Sequence, residues 1–291
     1  MRRGLAIGMA VHHTACDGGT STGFLHTWAA ASTGAVRPPR PVINRTLVKD
    51  PTGLYDVFVK AKPTAGEMDH VKTWEHRLLA TFTLSKDDIQ RVKDVIASEA
   101  APPRCSSLVA TFGFMWSCHQ RAKDAGSTGG DPTYLLFPVD HRSRMKPPVP
   151  DEYLGNCVGI ATHAAPMDRL AAAGAGGLFV ACTAIAAAVK EAVRGIGSPK
   201  TIALWMHLVR EAGVAGMWTV AGSPRFRVYE VDFGFGRPAK MKNVSVARTG
   251  AMAVAEGRSS RGGIEVGISL PAAGMQSFQK CFQDAIDWLH Q

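Results

Sequence analysis

The chain has 291 residues, long enough to bury a sizeable core in one large domain or two smaller ones. Its 46% hydrophobic and 20% charged residues exclude a disordered or fibrous chain. The net charge of +9 implies a positive field that favours an anionic ligand, or else the loss of acidic neighbours elsewhere; no Lys/Arg block interleaved with aromatics points to nucleic acid.

Leu5–Val11 reads as a strand that delivers His12-His-Thr-Ala-Cys-Asp-Gly-Gly19 into a tight turn, with a helix following from about Thr22. The apolar run stops at His12 and lacks a small-residue cleavage pattern, so it is not read as a signal peptide. Arg37-Pro-Pro-Arg-Pro41 breaks regular structure, and residues 46–63 read as a connector. Thr81–Leu84 is strand-like. Ser85 caps a helix over Lys86–Ser98, with Asp87 and Asp88 in its first turn, and a second helix starts at Ser106-Ser107.

Thr133–Val139 predicts a strand and Asp140-His-Arg-Ser-Arg144 a basic loop. Leu170–Val189 is uncharged but rich in Ala and Gly, which predicts a loop entering a buried soluble helix rather than a membrane span. Further strands are expected at Val158–Thr162, Arg227–Val231, Val244–Thr249, Met252–Glu256 and Ile264–Leu270, and an amphipathic helix over Met275–Leu289. Strands and helices alternate, so the fold class is α/β with mixed sheets. The six cysteines are scattered without CxxC or metal-ligand spacing; they read as reduced thiols of a cytoplasmic protein, with no metal expected.

His13 is the candidate general base, because an imidazole can take and return a proton near neutrality. Asp17, four residues on, either orients that imidazole as in a catalytic triad or joins it in binding a metal. The absence of a GxSxG elbow leaves a base with no enzymic nucleophile, which suits direct transfer to an acceptor hydroxyl. Asp232-Phe233-Gly234-Phe235-Gly236 reads as a specially shaped loop, or as a plain glycine turn with Phe235 buried and Asp232 paired to an arginine.

His13-Thr-Ala-Cys-Asp17-Gly matches the HxxxDG signature of the plant BAHD acyltransferases, and Asp232-Phe-Gly-Phe-Gly236 resembles their DFGWG signature. Asp140-His-Arg-Ser-Arg144 and Tyr153-Leu-Gly-Asn-Cys157 follow in the family's order. The chain is similar to the branch that acylates anthocyanins and phenolic glucosides. The resemblance implies a chloramphenicol acetyltransferase-like two-domain fold. Its first domain would be an incomplete remnant, residues 1–45 plus 232–257, and its second would comprise 64–231 plus 258–291. It implies malonyl or hydroxycinnamoyl transfer from acyl-CoA, a co-substrate rather than a bound cofactor, to a small phenolic acceptor. His13 would act as base without an acyl-enzyme. Asp17 becomes architectural, paired with Arg142 or Arg144, and Arg104, Ser106 and Ser107 become candidates for CoA. Phe235 replaces the family's tryptophan, and Gly19 stands where malonyl-CoA users often carry a cation. The resemblance further implies a monomer. The alternative is a truncated, non-catalytic remnant that binds CoA or a partner, or does not fold independently.

Overall fold

The structure is a computed structural model and describes residues 4–49, 53, 77–123, 130–194 and 217–291. Most of the expected connector at 46–63 lies outside the described residues. In chain order the elements are α1 (Gly18–Thr33), β1 (Arg77–Leu84), α2 (Lys86–Ala97), α3 (Ser107–Lys123), β2 (Pro132–Asp140), β3 (Val158–Pro166), α4 (Met167–Ala171), α5 (Ala175–Arg194), β4 (Met217–Gly222), α6 (Val246–Thr249), β5 (Met252–Glu256), β6 (Ile264–Pro271) and α7 (Ala272–Leu289).

Local chemistry accounts for the best-defined helices. The Ser85 hydroxyl accepts from the Asp88 N–H at 3.0 Å while the Asp88 carboxylate accepts from the Ser85 N–H at 2.8 Å, a capping box that starts α2. Ile89, Val92 and Ile96 then fall on its buried face. In α3 every residue from Val109 to Gln120 is buried, so this helix runs through the core rather than over it. Gly113 permits that position: a Cβ there would lie 2.5 Å from the Cys182 sulfur on α5. Among the described residues α5 is the one helix long and apolar enough to cross a membrane, with mean hydropathy 1.6, and it packs here against α3 and β3.

The strands form one mixed sheet in the order β1-β6-β5-β4-β2-β3. The β4 strand pairs in parallel with β2 and β5, and the other pairings are antiparallel. Side chains alternate between its faces. Met252 and Val254 join the main core with α2, α3, α5 and α7, while Ala253 packs with Val246 of α6 and Leu79 on the other face. Fully buried side chains such as Trp116, Phe278, Ile185 and Met252 anchor the main core, each contributing about 1.5–3 kcal/mol.

Several expectations are corrected. Leu5–Val11 forms no strand: Leu5, Ile7, Met9 and Val11 are exposed, and no neighbouring strand is present among the described residues to complete a ladder. Arg227–Val231 is a single 3₁₀ turn, Val228–Glu230, because Arg227 adopts a left-handed φ of 50° that no strand accommodates. Val244–Thr249 ends in α6, stopped by Gly250 at φ 70°. The strand Met217–Gly222 was not foreseen. The expected strand Met252–Glu256 is present and hydrogen-bonds to β4 and β6.

Candidate active site

His13 lies in a turn before α1 with its side chain exposed. Asp17 caps α1, accepting at one carboxylate oxygen from the Thr20 N–H at 3.0 Å and its hydroxyl at 3.1 Å. The other oxygen takes the Cys157 N–H at 3.0 Å and the Arg142 guanidinium at 2.8 Å. With both oxygens so occupied, Asp17 neither orients the His13 ring nor offers a metal a ligand. The triad-like and metal readings are thereby removed.

Of the two arginines, Arg142 is the partner. Its side chain is buried, and Nη2 also donates to the Gly155 carbonyl and the Thr20 hydroxyl, both at 3.0 Å. Asp140 sits 3.2 Å from Nη1. Arg144 instead donates to the Asp140 carbonyl at 2.6 Å. Burial pushes the Asp17 carboxyl up, but the Thr20 and Cys157 amides and Arg142 outweigh it and hold the group below its ordinary value. For Arg142 burial alone would lower the pKa, and Asp17 with Asp140 turns the shift upward. An isolated charge in this position would be costly; both Asp17 oxygens and both terminal nitrogens of Arg142 are partnered, while Arg142 Nε is buried without a hydrogen-bond partner among the described residues.

The turn is gripped by distant segments. Asn156 Nδ2 donates to the His13 carbonyl at 2.8 Å, and Arg45 Nη2 donates to the Ala15 carbonyl at 3.3 Å. Arg45 also lies 5.9 Å over the Tyr153 ring. Gly18 admits the Phe226 ring, which a Cβ there would meet at 3.0 Å. Sequence reasoning missed Asn156 and Arg45; the one signal was Asn156's place in Tyr153-Leu-Gly-Asn-Cys157.

The second motif stands apart. Asp232 accepts from the Gly234 and Gly236 amides at 2.8 and 3.0 Å, closing a local turn in place of the expected arginine pair. Both glycines have positive φ, 97° and 100°, a region ordinary residues avoid. Phe235 is 64% exposed, not buried, while Phe233 meets Trp28 of α1 edge-on at 4.9 Å. A groove of about 470 Å³ runs between this loop and α1, lined by His26, Thr33, Val36, Glu230 and Asp232.

The CoA candidates occupy another place. Ser106 accepts from the Val109 N–H at 3.3 Å as a helix cap, and the Ser107 hydroxyl is 3.0 Å from Lys93 Nζ, a cation not foreseen beside exposed Arg104. No hydrogen bond or ion pair joins them to the His13 turn among the described residues.

A mixed sheet flanked by helices, with an HxxxDG turn locked by a buried aspartate–arginine pair, defines the class: a chloramphenicol acetyltransferase-like acyltransferase fold. The chain belongs to the Transferase family, whose profile matches residues 2–285, and with it to the plant BAHD acyltransferases. It is 30% identical to phenolic glucoside malonyltransferase 2 of Arabidopsis thaliana over 98% of this chain and 65% of that protein. It is 28% identical to malonyl-coenzyme:anthocyanin 5-O-glucoside-6'''-O-malonyltransferase of Salvia splendens, over 97% of this chain and 62% of that protein. The chain thus spans just under two thirds of the length of these relatives. The crystal structure of vinorine synthase superposes with a TM-score of 0.65 at 15% identity, covering 94% of this chain and 60% of that one. Fusarium graminearum TRI101, complexed with coenzyme A and T-2 mycotoxin, gives 0.61 at 17% identity over 91% and 62%.

Proposed function

We propose that this protein transfers an acyl group, malonyl or hydroxycinnamoyl, from acyl-CoA to a hydroxyl of a phenolic or flavonoid glucoside. The observation that carries the reading is the exposed His13 on a turn whose neighbouring carboxylate is occupied by Thr20, Cys157 and Arg142. A base so held, in a sequence without a GxSxG elbow, suits one direct transfer. His13 removes the acceptor's hydroxyl proton as the oxygen bonds to the thioester carbon. The tetrahedral adduct then expels the CoA thiolate as the C–S bond breaks, and the imidazolium returns the proton to sulfur. Ester and free thiol leave, and no acyl-enzyme forms. A thioester is already activated, so a base and orientation supply most of what is needed. The relatives named for malonyl and coumaroyl transfer support the donor classes, and the net charge of +9 supports an anionic CoA ester. The free cysteines support a reducing, cytoplasmic setting.

The test is turnover of malonyl-, acetyl- and coumaroyl-CoA with phenolic glucosides by purified protein. His13→Ala is expected to lose about 10²–10⁴ in kcat; equal rates would remove His13 from the mechanism. A second reading, a non-catalytic relative that binds CoA or a partner, is favoured by the exposed apolar side chains of Leu5, Phe24 and Trp28. CoA binding by calorimetry without turnover of any donor would select it.

A further inference from the structure

We propose that Asn156 is a positioning residue for the base, aiming the His13 imidazole by holding its backbone; the inference rests on the acyl-transfer reading above. The His13 side chain is exposed, so neighbouring packing does little to fix its direction, and the backbone that carries it must do so. That backbone is held at three points by chain far away in sequence. Asn156 Nδ2 donates to the His13 carbonyl at 2.8 Å, Arg45 donates to the Ala15 carbonyl at 3.3 Å, and the Asp17 N–H donates to the Gly155 carbonyl at 3.5 Å. Only the first acts on the base residue itself.

The amide's chemistry makes this specific. A carbonyl only accepts, so the NH₂ end of Asn156 must face His13. Its other end, Oδ1, is buried with no hydrogen-bond partner among the described residues. An unpaired buried acceptor is unfavourable, and a residue needed only to fill space would be better apolar. What the asparagine gains in return is the bond to His13. The adjoining Cys157 amide and Gly155 carbonyl tie the same segment to Asp17 and Arg142, so the base is tied to that buried ion pair.

The test is Asn156→Asp, which keeps the shape and replaces the donor with an oxygen that repels the His13 carbonyl. A displaced base of this kind costs about 10–100-fold in kcat at a temperature where the variant stays folded, while KM for acyl-CoA stays at its wild-type value. A raised KM with kcat unchanged, an equal loss of Tm and activity, or no change at all would overturn the proposal. A second measurement does not depend on turnover: with ¹⁵N-labelled histidine, the variant shifts or broadens the His13 ring signals and leaves those of His26 in place. Unmoved His13 signals would refute the positioning role even if the wild type proves inactive. Absence of turnover in the wild type, by contrast, would strike the acyl-transfer reading alone.

Discussion

The two signature aspartates, Asp17 and Asp232, do the same thing locally and different things globally. Each accepts backbone amides to shape a glycine-bearing turn. Asp17 is 3% exposed and binds four donors from three segments, whereas Asp232 is exposed and binds only the loop it belongs to. Burial makes the difference. In the low-dielectric interior the Asp17–Arg142 pair can hold distant chain together. At the surface Asp232 competes with water and fixes only the path of five residues.

This contrast can be broken first at Arg142. Arg142→Ala strands the Asp17 charge and is expected to destabilise the protein by about 3–5 kcal/mol, read by urea unfolding at pH 7. The gap should then narrow in acid. Asp17 is held below its ordinary carboxylate value, so the stability it contributes is present above about pH 4 and is lost as pH falls through the lower folded value. Once Asp17 is protonated, the variant no longer carries a bare buried charge. An equal gap at pH 7 and pH 3 would show that the ion pair is not its source.

At the second motif the expected effects are smaller. Asp232→Ala removes two exposed amide bonds and should cost about 0.5–1.5 kcal/mol by the same measurement. A loss as large as that of Arg142→Ala would mean that this loop, too, is a global cross-link. Smallest of all is Phe235→Trp, which enlarges the ring at a 64% exposed site and should change stability by no more than about 0.5 kcal/mol.

By itself the sequence determined what short-range physics decides. The Ser85 cap with Asp87 and Asp88 in the first turn, the strands expected at Met252–Glu256 and Ile264–Leu270 and the His13–Asp17 turn are all readable because each depends on residues within a few positions. Tertiary structure alone chose Arg142 over Arg144, since two arginines two positions apart look alike until packing buries one of them against Asp17. Only it revealed Asn156 and Arg45 on the His13 turn, and the pairing that puts Met217–Gly222 in the sheet while leaving Leu5–Val11 out. These outcomes join residues as many as 143 positions apart. A side chain's partner across that distance is set by which surfaces the core brings together, and no local pattern carries that information.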